Sequence, residues 1–260
     1  IYLIHFFYNM VKKSMSPKKL SKIFDELFPI LRSITGPGYL QSLKIIGKYI
    51  KFKYIKYKSG KKIFDWNIPN EWHFKDGYIK NLKGKKIVDV KKNNLHILNY
   101  STSINKKISI SELKNHLYTM PNYPQAIPYS TSYYKKNWGF CISYNQQKKL
   151  KDKFYKVKID AKFKKGNLIN GVSTIKGISK KINLITSYLC HPSMANNELS
   201  GPLVMLGLYE KIKKWKKHNY TYKFLINPET IGSLCFIFSE KKKFDGKSKY
   251  RFSVNMPRRS

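Results

Sequence analysis

Arginine is almost absent from this chain: of its 52 basic residues only four are arginine, and three of those fall within the last ten positions. Arginine grips phosphates and guanine edges through a two-pronged fork, so its scarcity argues against a protein that reads nucleic acid. Cysteine is equally scarce. Cys141, Cys190 and Cys235 are too few and too scattered for a disulfide framework or a four-ligand zinc cluster, and a reducing, cytoplasmic setting is expected. No run of eighteen apolar residues occurs, so no membrane-spanning helix and no membrane partner are expected.

Lysine is what abounds, and it gives a formal net charge of +38. Lysine, isoleucine, asparagine, tyrosine and phenylalanine make up 132 of the 260 residues. These five share AT-rich codons, and the lysines are spread along the chain rather than gathered on one stripe. Genome composition therefore explains the charge better than a polyanionic partner does, and nucleic acid is not expected. A content of 42% hydrophobic and 15% aromatic residues is too apolar for a disordered chain. The length suits one large domain carrying a smaller insertion.

The apolar start, Ile1 to Tyr8, precedes the first methionine, Met10. It lacks a basic leading region and a small-residue cleavage site, which points to a fragment boundary or a misplaced start rather than a signal peptide. Ser16 and Pro17 open a helical pattern of Leu20, Ile23, Phe24, Leu27, Phe28 and Leu31. Gly36-Pro37-Gly38 stops it, and a second helix follows with Leu40, Leu43, Ile46 and Ile50 facing inward. Residues 61–123 read as an inserted β-rich domain, with strands at 85–90 and 95–100. The proline-punctuated tract Met120 to Pro128 serves as its boundary. Residues 10–60 and 124–260 then form the α/β domain.

Within the α/β domain, residues 154–160 and 170–177 alternate as an antiparallel pair. Ile182 to Cys190 is a nearly continuous apolar strand suited to burial on both faces, and it runs into His191. Ser200 can cap a helix through Leu203, Leu206, Tyr209, Ile212 and Trp215, and the strand Tyr220–Ile226 ends at Asn227-Pro228-Glu229. Strand, helix, strand joins parallel neighbours, so His191 and Glu229 project from one carboxyl edge, where α/β sheets gather their sites. Singly, such residues are ordinary turn or cap residues. Together with the Asn196-Asn197-Glu198 loop they make an arrangement suited to holding zinc and activating water.

The segment Cys190 to Pro202, followed by Asn227-Pro-Glu-Thr-Ile-Gly232, resembles a group of bacterial aminopeptidase-like proteins. These are related to zinc exopeptidases and are often found with surface-polysaccharide biosynthesis genes. The likeness also takes in Leu27 to Gly36, Phe64 to Trp72 and Ile127 to Cys141, and covers roughly residues 20 to 240. It implies a mixed sheet flanked by helices with a swivelling β-rich insertion, and one or two zinc ions. It implies a peptide or amide substrate cleaved at its N-terminal bond. By resemblance His191 is a metal ligand, Asn197 stands where a metal-bridging aspartate is usual, and Glu229 is the general base. Neutral Asn197 and Thr230, the latter in place of a second acidic ligand, depart from the pattern. The likeness fades near residue 240, and the ending suits a product truncated before the remaining ligands. The alternative is a non-catalytic protein whose remnant cleft binds a peptide or sugar intermediate.

Overall fold

The structure, a computed structural model, describes residues 15–179, 181–244 and 250–253. The apolar start before Met15 and the ending after Ser253 lie outside the described residues. Along the chain, α1 (Pro17–Leu27) and α2 (Pro37–Gly47) lead to β1 (Lys53–Lys58), β2 (Lys62–Ile63), β3 (Trp66–Asn67) and β4 (Glu71–Lys80). Next come β5 (Lys86–Asp89), β6 (Ile104–Ser109), α3 (Ile110–Lys114), β7 (Leu117–Tyr118), β8 (Phe140–Cys141) and α4 (Tyr144–Lys148). The chain continues through β9 (Phe154–Lys164), β10 (Asn167–Ile175), β11 (Ile182–Tyr188), α5 (Ser200–Lys213), β12 (Thr221–Asn227), α6 (Ile231–Phe244) and β13 (Tyr250–Ser253). Two compact units result, Ile1–Glu71 with Lys165–Ser260, and Trp72–Lys164.

The first unit is built on a five-stranded mixed sheet in the order β1-β10-β12-β11-β13. The pairs β1/β10 and β10/β12 are antiparallel, while β11 runs parallel to both β12 and β13. Phe224 and Leu225 are successive residues of β12 and so point to opposite faces. Phe224 meets Tyr209 of α5 with ring centroids 5.1 Å apart. Leu225 packs with Val172, Leu184 and Phe236 of α6. One helix therefore covers each face of the sheet, which is the α/β class the sequence implies. Burying each of these large side chains contributes about 2 kcal/mol. By contrast β11 is half-buried rather than enclosed, with Leu184 its only buried residue.

The helices begin as their sequences direct. The Ser16 hydroxyl accepts the Lys19 amide at 3.3 Å, and Pro17 occupies the first turn of α1. Gly36, with φ of 98°, turns the chain into α2. A Cβ on Gly38 would stand 2.0 Å from the Leu31 carbonyl oxygen, so only glycine lets Leu31 and Arg32 come this close to α2.

The second unit holds a four-stranded sheet in the order β5-β4-β9-β6. Here the insertion differs from the expected 61–123. The β2/β3 hairpin stays with the first unit, and the second extends to Lys164. The reason is pairing: β9 lies antiparallel to β6 from Ile104↔Ile159 to Ser109↔Phe154. Thus β9 and β10 lie in different sheets and are not the expected antiparallel pair. The tract 120–128 falls inside this unit. Residues 95–100 form no strand: the Asn93 side chain accepts the Leu95 amide at 2.9 Å and starts a 3-10 turn, Asn94–His96.

Where the chain leaves and re-enters the first unit, its ends are tied together. The Glu71 carboxylate accepts the Asn167 amide at 2.8 Å, and the Ser59 hydroxyl accepts the Gly166 amide at 3.0 Å.

Candidate active site

The parallel register of β11 and β12 runs from Ile182↔Thr221 to Tyr188↔Asn227. Both strands therefore end level, and the turns that follow bring His191 and Glu229 together. Nε2 of His191 lies 3.4 Å from a carboxylate oxygen of Glu229, whose side chain is 46% exposed. Both turns are strained. Ser193 and Thr230 have φ of 53° and 58°, a left-handed conformation that a β-branched threonine adopts at a cost of about 1–3 kcal/mol. Asn227 braces the second turn: its buried amide donates to the Pro228 carbonyl at 2.7 Å and to the Ser233 hydroxyl at 3.0 Å.

Between the strands, residues Ala195–Leu199 form one π-helical turn before α5. Ser200 is consequently the first residue of α5 and not its N-cap, and its hydroxyl donates to the Asn196 carbonyl instead. A π turn shifts the residues after it around the helix axis. Asn197 is left exposed, while Glu198 is wholly buried. The Asn197 side-chain oxygen lies 3.5 Å from the Tyr188 hydroxyl, which donates to it. Glu198 faces the His191 ring from within, with Oε1 2.7 Å from Nδ1 of His191. Its other oxygen accepts the Cys190 amide at 2.8 Å.

The surroundings are buried and charged. Arg32, with no exposed surface, donates from Nε and Nη2 to the His191 carbonyl and from Nη1 to the Leu27 carbonyl. The Glu229 amide donates to the Cys190 sulfur at 3.3 Å. Burial, reinforced by the Glu198 charge, pushes the Cys190 thiol well above its ordinary range. Burial and the neighbouring Cys190 and Glu198 do the same to the Tyr39 hydroxyl. For His191 burial alone would favour the neutral ring. The carboxylates of Glu198 and Glu229 beside the ring outweigh it and raise the imidazole above its ordinary value.

Donor atoms of Cys190, His191 and Glu198 all lie within 4.8 Å of one another. The sequence brought His191, Asn197 and Glu229 to notice, named Glu198 only as part of the loop between them, and passed over Arg32, Cys190 and Tyr39 as ligands or supports. One signal was available: Arg32 is the sole arginine before residue 250. A lone arginine in a lysine-rich chain marks a place where lysine does not serve.

The sequence and the fold have counterparts. The family model described as a domain of unknown function (DUF4910) matches residues 21–256. The likeness therefore runs past residue 240, where the sequence alone suggested that it fades. A Clostridium acetobutylicum protein, named as a polysaccharide biosynthesis protein with an aminopeptidase-like domain, is 43% identical over 225 residues. That alignment covers 86% of this chain and 52% of the relative, so the chain spans about half the relative's length. A crystal structure of a C. acetobutylicum protein described as a peptidase superposes with a TM-score of 0.85 at 40% identity, covering 93% of this chain and 56% of that one. The M28 peptidase precursor of Shewanella amazonensis shares the fold at 9% identity, with a TM-score of 0.57 and coverage of 92% and 71%. The zinc aminopeptidase of Bacillus subtilis does so at 14% identity, with a TM-score of 0.51 and coverage of 89% and 66%.

Proposed function

Because the chain belongs to the DUF4910 family and has the fold of zinc aminopeptidases, we propose that it is the core of a metal-assisted hydrolase of N-terminal peptide or amide bonds. The observation that carries this reading is the 3.4 Å approach of Glu229 to Nε2 of His191 at the ends of adjacent parallel strands.

The donors suit one cation rather than a bridged pair. His191 and Asn197 would hold it through a neutral imidazole and a neutral amide, and no carboxylate at 197 offsets a second charge. Glu198 is poorly placed as a ligand, since its two oxygens already face the Cys190 amide and Nδ1 of His191. When bound, the ion supplies Lewis acidity toward the scissile carbonyl. Glu229, its side chain half-exposed, takes the proton from the attacking water and returns it to the departing amine. Polysaccharide biosynthesis, the process in the relative's name, supplies the setting we favour for the substrate.

The test is paired. Calorimetry with zinc should show weak uptake of one ion, lost in His191→Ala and kept in Glu229→Gln. Turnover of amino-acid anilides in the presence of zinc should be lost in both variants. Metal uptake that survives loss of His191, or hydrolysis that survives Glu229→Gln, overturns the reading.

A further inference from the structure

In the second unit the end of β4, the turn that follows it, β6 and β9 border a cavity of about 430 Å³. That volume suits a small molecule. Lys80, Lys106, Lys107 and Lys156 line it together with Asn81 and Asn105, and no carboxylate does. A lysine-rich composition explains how many lysines the chain has, but not this arrangement. Lys107 of β6 stands directly opposite Lys156 of β9 in the antiparallel register. Like charges placed so repel one another and destabilise the pair of strands.

A second such pair shows how the fold answers the repulsion elsewhere. Lys80 faces Lys86 across β4 and β5, and Lys86 is neutralised by Asp89 at 2.7 Å. Nothing comparable serves the cavity: among the described residues, none of its four lysines is ion-paired. Two are held by aromatic rings instead. The Lys80 ammonium lies 4.5 Å from the Tyr78 ring centroid, and the Lys107 ammonium 4.9 Å from that of Phe154. A ring steadies a cation without using up its N–H bonds, which stay available to an anion. Asn81 adds an oriented donor. Its side-chain oxygen accepts the Lys85 amide at 2.8 Å, so its NH2 group is the end left to donate.

We propose that this cavity is a binding site for a soluble small molecule bearing a phosphate or diphosphate group. Several ammonium groups and amide donors around one cavity suit a compact anion of two or more charges, which lysine meets as a point charge. The bound anion does for Lys107 and Lys156 what Asp89 does for Lys86. The site lies wholly within the second unit and stands apart from the metal-assisted chemistry proposed above.

The experiment is calorimetry of the full chain with inorganic pyrophosphate in about 0.15 M salt, where diffuse attraction is screened. One equivalent should bind. Lys107→Gln combined with Lys156→Gln should weaken it about 10-fold or more. Lys214→Gln combined with Lys217→Gln removes the same charge from exposed positions of the first unit and should leave it unchanged. No uptake by the wild-type chain overturns the proposal. So does equal weakening by both double variants, which would mark attraction to the net charge alone. Melting supplies a second readout. Pyrophosphate should raise the melting temperature of the wild type more than that of the cavity variant, and an equal rise in both overturns the site. Vesicles of phosphatidate in phosphatidylcholine, and oligothymidylate, test the other carriers of phosphate. If either binds through the cavity lysines while pyrophosphate does not, the soluble small ligand is overturned. If neither loses affinity in the cavity variant while pyrophosphate does, the proposal is supported.

Discussion

Arg32 reaches across 159 residues of sequence to place two nitrogens, Nε at 3.1 Å and Nη2 at 2.8 Å, on the single carbonyl oxygen of His191. A third, Nη1, reaches the Leu27 carbonyl at 2.6 Å. Hydrogen bonds from a charged donor contribute about 1.5–3 kcal/mol each, and stranding a buried carbonyl costs a similar amount. Arg32→Ala should therefore destabilise the chain by about 3 kcal/mol or more in urea unfolding. Arg32→Lys should recover only part of this, because an ammonium lacks the planar fork. An alanine variant as stable as the wild type would contradict the clasp.

Tyr39 presents the opposite case. Its ring is buried, and its hydroxyl has no hydrogen-bond partner among the described residues. An unsatisfied buried hydroxyl costs about 1–3 kcal/mol. Tyr39→Phe removes the hydroxyl and keeps the ring, so the variant should melt at a higher temperature than the wild type, by roughly 2–4 °C per kcal/mol gained. A lower melting temperature would show that the hydroxyl is stabilising.

Thr230 carries strain next to Glu229. Replacing it with glycine relieves about 1–3 kcal/mol of left-handed backbone strain. The extra freedom of glycine in the unfolded chain takes back about 0.4–1 kcal/mol. Relief is the larger effect, so Thr230→Gly should raise the urea midpoint. The same change loosens the turn that aims Glu229, and anilide hydrolysis should fall even as stability rises.

Asn197→Asp adds a carboxylate beside His191. It should tighten zinc uptake in calorimetry, because the new ligand is charged. It should not create anilide turnover by itself, since Thr230 still stands where a second acidic ligand is usual. Clear turnover by that single variant would refute this.

His96, in the second unit, titrates with folding. Burial holds its imidazole below the ordinary value, against the Cys141 carbonyl and Asp89, which favour the charged ring. The unfolded chain therefore binds a proton more readily than the folded one. The resulting stability is fully present above pH of about 6.5 and is lost as pH falls through the lower folded value. His96→Gln should flatten this part of the stability profile. An equally steep profile in the variant would assign the dependence to other groups.

How much of this was legible beforehand follows from which interactions are local. Ser16 and Pro17 announce α1 within four residues, and the succession of strand, helix and strand implies parallel neighbours, so His191 and Glu229 could be set on one edge from the sequence. The π turn has no comparable signature, so nothing in Asn196-Asn197-Glu198 told which side chain turns inward. Arg32 and His191 meet only through the tertiary fold. The partner of β9 was equally hidden, because its alternation would suit either sheet. Leu95 to Tyr100 misled for a local reason: its apolar residues look like a strand, but the Asn93 side chain captures the backbone first.

The ties between Glu71 and Asn167 and between Ser59 and Gly166 bear on how such a chain can change over time. They fasten the two points where the main chain departs and returns, so the host sheet experiences the intervening segment as a closed loop. The entropy of closing a loop grows only with the logarithm of its length. Trp72–Lys164 could accordingly be shortened, lengthened or exchanged for another folded module while β1, β10 and the strand-end turns keep their places. The unit that carries the strand-end turns is thus a socket as well as a site, and descent can revise the inserted segment separately from that site.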